Sequence, residues 1–123
     1  MSLKSFAAKI YAKWTRRQIN LWAEHPISTQ QKVFQKLISQ AQNTAFGKEH
    51  GFIDIKSPKD FAEKVPIRDY EELKPYVDKV VNGEEDILWP GKPLYFAKTS
   101  GTTSGAKFIP LTKESMPTHI KAA

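Results

Sequence analysis

The hydrophobic pattern changes period once along this chain, at Gly83, and that change restricts the fold more than any other feature. Before it, apolar residues recur at steps of three, four and seven; after it, they form short runs broken by turn residues. The expected class is α+β, with 1–83 helical, 84–112 short strands around a loop, and 113–123 the start of a further helix. Two or three short strands make too small a sheet to stand alone. Their edges need cover, from the rest of a larger fold or from a second copy in a homodimer.

Residues 3–22 read as a helix, because Leu3, Ala7, Ile10, Trp14 and Leu21 share a face with Tyr11 beside them, while Lys9, Lys13, Arg16 and Arg17 fall on another. The expectation is a terminal helix that docks its aromatics on a core. His25-Pro26 ends it. Ser28 with Gln31 reads as a capping box opening a second helix, buried along Val33, Phe34, Leu37, Ile38 and Ala41. A short turn spans 44–51, with Thr44 as its cap and Gly51 left-handed at its end. Ser57-Pro58-Lys59-Asp60 opens a helix that runs through Lys64 and stops before Pro66. Asp69 and Glu72 form another capping-box pair. Pro75 is expected to split the helical stretch at 69–82 into one turn at 69–73 and a helix at 75–82, closed by Gly83.

Beyond Glu84, the runs Ile87-Leu88-Trp89, Leu94–Ala97 and Phe108–Leu111 read as strands, with a turn at Pro90-Gly91. Thr112 reads as a cap for a last helix that Pro117 interrupts.

Composition narrows the function. The chain of 123 residues is 40% hydrophobic and 26% charged, which fits one globular domain. The absence of cysteine excludes a disulfide scaffold, a Cys-ligated metal and a thiol nucleophile. No apolar run approaches the ~20 residues of a membrane span, and the N-terminus lacks a signal-peptide pattern, so a cytoplasmic location is expected. The net charge of +6 is uneven: residues 1–48 hold eight Lys and Arg against Glu24 alone. No nucleic-acid fold motif accompanies this basic front, and no nucleic-acid partner is expected. His25, His50 and His119 lack metal-ligand spacing, and Glu84, Glu85 and Asp86 read as a solvated turn. Trp89, Tyr95 and Phe96 could stack on a base but read as core.

The chemistry lies in Thr99-Ser100-Gly101-Thr102-Thr103-Ser104-Gly105-Ala106-Lys107. Glycines let the backbone aim several N–H groups at one point, hydroxyls add donors, and a lysine adds a compact positive charge; together these suit phosphate oxygens. The string is not a Walker A loop: Gly101 and Gly105 are four apart, Ala106 precedes the lysine, and Phe108 follows it. It is not the dinucleotide pattern G-x-G-x-x-G either. Composition alone leaves open a plain flexible turn.

Thr99-Ser100-Gly101-Thr102-Thr103 with a lysine shortly after resembles the phosphate loop of adenylate-forming enzymes. The continuation Lys107-Phe108-Ile109-Pro110-Leu111-Thr112 resembles the auxin-responsive Gretchen Hagen acyl-acid amido synthetases. So do Thr44-Ala45-Phe46-Gly47, His50-Gly51-Phe52, Phe61, Val65-Pro66, Asp69-Tyr70-Glu71, Pro75-Tyr76 and Asn82-Gly83, in order and spacing across roughly residues 33–112. Ser104 and Ala106 depart from the Gly- and Pro-containing versions of the loop.

This resemblance implies that the chain is the N-terminal part of the large adenylate-forming domain of an ATP- and Mg-dependent ligase. The family activates a carboxylic acid as acyl-AMP and passes it to an amino acid. The nucleotide-binding role passes to Ser100, Gly101, Thr102, Thr103, Ser104 and Lys107, with no catalytic residue and no metal ligand in this segment. The implied partners are ATP and AMP, the two substrates, and the remainder of a longer chain. That remainder would hold the Tyr-Gly-x-Ser/Thr-Glu motif and the small lid domain, without which no catalysis is expected. A non-catalytic helical interaction or membrane-surface module that keeps the loop as a relic is the alternative, drawn from the basic amphipathic face of 3–22.

Overall fold

The computed structural model describes residues 3–99 and 105–122, in two compact units, Met1–Gln35 and Lys36–Ala123. In chain order the elements are α1 (Leu3–Glu24), α2 (Pro26–Ala41), α3 (Ala45–Glu49), a 3-10 turn (Phe52–Asp54), α4 (Pro58–Lys64), α5 (Tyr70–Val81), β1 (Tyr95–Thr99), β2 (Lys107–Leu111) and α6 (Met116–Ala122). The expected α+β content, helical first and β-like later, is present. No described helix is long and apolar enough to cross a membrane.

The first unit holds α1 and the opening turns of α2. Within this unit the aromatics of α1 are not buried: Phe6, Ile10, Tyr11, Trp14 and Trp22 are each at least half exposed. One helix face needs a second layer to bury it, and residues 1–35 by themselves supply none. The opening of α2 also differs from expectation. The helix starts at Pro26, so Ser28 lies inside it, and the Ser28 hydroxyl donates to the His25 carbonyl at 3.3 Å instead of capping. Proline at the first helical position forfeits no intrahelical bond. Val33 and Leu37 are about half exposed, and burial along α2 is confined to Ile38 and Ala41 at its end.

The second unit is organised by caps. Thr44, almost fully buried, accepts from the Gly47 N–H at 3.0 Å and donates to the Ala41 carbonyl at 2.7 Å, joining the end of α2 to the start of α3. Gly51 follows at φ 61°, the left-handed conformation its sequence position suggested. Ser57 and Asp60 form a full capping box with Pro58 in the first turn of α4, and Asp69 and Glu72 form another at α5. Gly83 ends α5 with paired bonds, its own N–H to Val80 and that of Glu84 to Lys79, which together define a Schellman motif.

Pro75 does not divide α5. It removes one N–H that would have served the Glu71 carbonyl. The capping box holds the turn before it, a Lys74–Asp78 pair at 2.6 Å spans it, and Val77 and Val80 are buried after it. The strand expected at Ile87–Trp89 is a bent loop. Its carbonyls are used elsewhere: Asp86 accepts from the Ala45 N–H at 2.7 Å and Ile87 from the Phe46 N–H at 3.0 Å. With Thr44 on Gly47, all three leading N–H groups of α3 are satisfied. Asp86 adopts φ 56°, and its carboxylate accepts from the Gly91 N–H at 2.7 Å, which closes the loop.

β1 and β2 form a two-stranded antiparallel sheet with Tyr95 opposite Leu111 and Thr99 opposite Lys107. β2 lies against α5. Phe108 donates its N–H to the Tyr70 hydroxyl at 2.8 Å, and Pro110, on the same side of the strand, has no N–H to leave open. Tyr95 and Phe96 are exposed and do not serve as core. Pro117 does not interrupt the last helix either. It sits in the first turn of α6, while Thr112 and Ser115 close the preceding turn through their hydroxyls. The core proper is Ile38, Ala41, Phe52, Ile55, Val77, Val80 and Ile87.

The α4 box carries a pH dependence. The backbone N–H of Lys56 first, then the Ser57 hydroxyl and N–H, hold the Asp60 carboxyl below its ordinary value of 3.8. A carboxyl depressed in the folded state contributes stability above its unfolded value, and that contribution disappears as pH falls through the folded value. Unfolding free energy measured between pH 6 and pH 3 is expected to fall more steeply for the native chain than for Asp60→Asn. Equal slopes would contradict this reading of the box.

Candidate functional site

The candidate site is the connection between β1 and β2 together with the element that braces it. Ser100, Gly101, Thr102, Thr103 and Ser104 lie outside the described residues. Its two flanks are described. Thr99 ends β1 and Lys107 begins β2, directly opposite each other in the register. Between the loop and Lys107, Gly105 adopts φ 80°, and a Cβ there would meet nothing within 4 Å among the described residues. Glycine is required by this conformation, not by crowding.

Lys107 reaches back to α5. Its Nζ sits 5.3 Å from the centre of the Tyr70 ring, and among the described residues it forms no ion pair. The next residue, Phe108, donates its N–H to the Tyr70 hydroxyl. Tyr70 occupies the first position of α5, just after its cap Asp69, so the capping box fixes the residue that meets Lys107. An ammonium held on an aromatic face keeps its formal charge uncompensated, which suits an approaching anion. Among the described residues no group of three His, Cys, Asp or Glu side chains could hold a metal ion.

Elsewhere in the second unit, Trp89 donates its Nε1–H to Glu114 Oε2 at 3.3 Å. The Glu114 carboxyl is held below its ordinary value, first by its own backbone N–H and then by Trp89 and Thr112. His50, nearly buried, is structural: Nδ1 lies 2.8 Å from the Phe46 carbonyl, and Arg68 donates to Nε2 at 3.0 Å. That pattern assigns the ring proton to Nδ1. The His50 ring stacks on Phe46 at 4.1 Å, and Arg68 lies over Phe46 and Tyr76. The Tyr76 hydroxyl donates to Glu49 at 2.7 Å, which raises the phenol above its ordinary value. The turn Thr44–Gly51 is thus locked from several sides.

Comparison with known proteins decides the family. Residues 15–123 match the family model described as GH3 family N-terminal domain. The chain belongs to the GH3 family. It is 31% identical over 94 residues to indole-3-acetic acid-amido synthetase GH3.2 of Arabidopsis thaliana, covering 75% of this chain and 17% of that protein. To indole-3-acetic acid-amido synthetase GH3.15 of the same plant it is 33% identical, over 74% of this chain and 16% of the relative. To jasmonoyl-L-amino acid synthetase JAR6 of Nicotiana attenuata it is 30% identical, over 75% and 16%. This GH3 segment therefore spans about a sixth of the length of such relatives.

Lys107 is legible in the sequence, but its seat is not. Tyr70 enters there only as one letter of the Asp69-Tyr70-Glu71 string. The two residues are far apart in sequence, and no local pattern joins them.

Proposed function

We propose that this chain is the N-terminal part of the adenylate-forming domain of an ATP-dependent acyl-acid amido synthetase, and that Ser100–Ser104 with Lys107 bind the ATP phosphates. Membership of the GH3 family, with Thr99 at the end of β1 opposite Lys107 at the start of β2, is the observation that supports the reading. The Lys107 ammonium, without an ion pair among the described residues, and the left-handed backbone of Gly105 fit a phosphate group. Mg would enter with ATP and offset part of its charge, which suits an ion that keeps most of its waters and binds substrate phosphates.

In the proposed reaction a carboxylate oxygen attacks the α-phosphorus, the bond to pyrophosphate breaks, and acyl-AMP forms. The amino group of an amino acid then attacks the acyl carbon, loses a proton, and AMP leaves. This segment's share is to hold the phosphates in line and to place N–H and hydroxyl donors where charge builds. The half-exposed stripe of α1 is the face that the remaining chain would cover, and the location is cytoplasmic. The test is acid-dependent exchange of labelled pyrophosphate into ATP by the full-length protein, with indole-3-acetate and jasmonate in the panel because of the relatives' names. Label is expected in ATP only when an acid is present. Exchange absent with every acid overturns the proposal.

A further inference from the structure

Tyr70 and Lys107 form a contact that the phosphate-loop reading does not by itself explain. A lysine at a loop's exit is usually free to sample many rotamers, and ordering it costs entropy. Here one residue removes that freedom in two ways. The Tyr70 hydroxyl accepts from the Phe108 N–H at 2.8 Å and fixes the backbone just past Lys107. Its ring seats the Lys107 ammonium, Nζ to centroid 5.3 Å.

The seat is rigid because of its support. Tyr70 starts α5, the reciprocal bonds of Asp69 and Glu72 lock that first turn, and Val77 and Val80 anchor the same helix in the core. A carboxylate at the same place would also hold a lysine, but it would neutralise the charge and compete with phosphate. A ring holds the cation and leaves the charge available.

The geometry points to Tyr70 as a positioning residue for ATP, acting through Lys107: it holds the start of β2 and the ammonium in place, so that the lysine meets the phosphates without first being ordered. This inference rests on the phosphate-loop reading and goes beyond it by adding a residue outside the loop.

The test is a double-mutant cycle on the full-length protein, read by calorimetric ATP binding without acid and by pyrophosphate exchange, with thermal unfolding alongside. Lys107→Ala is expected to weaken ATP binding about 10-fold, as loss of a hydrogen bond from a charged group does. Tyr70→Leu is expected to weaken it about 5-fold, and Tyr70→Phe, which keeps the ring, about 2- to 3-fold. In the Lys107→Ala background, the effect of Tyr70→Leu should shrink to less than about 2-fold, because the two act as one unit. Equal effects of Tyr70→Leu in both backgrounds would overturn the inference and leave Tyr70 a purely structural contact. So would unchanged ATP binding in both Tyr70 variants. Should Tyr70→Leu fail to fold, Tyr70→Phe completes the same cycle. Ser100→Ala with Thr102→Ala separates the two levels: unchanged ATP binding in that variant rejects the loop reading itself. Loss there, with additive Tyr70 and Lys107 effects, rejects the role of Tyr70 alone.

Discussion

Ser100→Ala combined with Thr102→Ala in the full-length protein is expected to lower ATP–pyrophosphate exchange by about 10²- to 10³-fold, the loss typical when a preorganised donor to developing charge is removed. The magnitude comes from the donors the loop has to offer. Its glycines supply direction, its backbone supplies N–H groups that no substitution to alanine removes, and its hydroxyls supply the donors that substitution does remove. Backbone donors and Lys107 remain, so the activity should fall steeply without vanishing. Thermal unfolding of the variant should match the native protein. Ser39→Ala, on the exposed side of α2, is the matched control and should leave exchange unchanged. Native exchange in the double variant would remove the loop from the reaction.

Gly47→Ala is expected to destabilise the protein by about 3 kcal/mol, which lowers the melting temperature by roughly 10 °C. A Cβ at position 47 would lie 2.1 Å from the Ala41 carbonyl oxygen and 3.0 Å from its carbon, both backbone atoms that cannot swing aside. The same carbonyl already accepts from the Thr44 hydroxyl and N–H, so moving it would strain the joint between α2 and α3. The sign is diagnostic. Alanine favours a helix over glycine by about 1 kcal/mol, so without the close approach the substitution would stabilise α3. A raised unfolding midpoint in urea would contradict the packing described here.

The sequence is most legible where the deciding chemistry lies within four residues. Thr44, Ser57 with Asp60, Asp69 with Glu72, Gly51 and Gly83 can all be read because a cap and its partner sit in one turn. It is less legible where a distant partner decides. Ile87–Trp89 has the apolar run of a strand, but the carbonyls at its start, those of Asp86 and Ile87, serve the first N–H groups of α3, and nothing local announces that use. Pro75 has the local effect expected of it, yet burial at Val77 and Val80 keeps α5 whole. Pro117 reads as a breaker and serves as a first-turn residue, because a preceding turn closed by Thr112 and Ser115 displaces the helix start. The α1 pattern specifies an amphipathic helix correctly. Periodicity identifies an apolar face without saying what covers it, and the exposure of Trp14 and Trp22 is the result.

The site divides along the same line. Loop residues are recognisable from composition and order, because a cluster of Gly, Ser and Thr before a lysine is itself a chemical statement. Tyr70 is not, because it lies 38 positions from the strand it braces. Its role depends on α5 continuing past Pro75, which the local rules oppose.

Whether this segment belongs to an enzyme that adenylates its acid is tested most directly by the nucleotide formed when the full-length protein is incubated with Mg-ATP, a carboxylic acid and an amino acid. Chromatography separates the possible products. AMP with pyrophosphate, formed only when the acid is present, is the predicted result. ADP with orthophosphate would mean attack at the γ-phosphorus and would contradict the central claim.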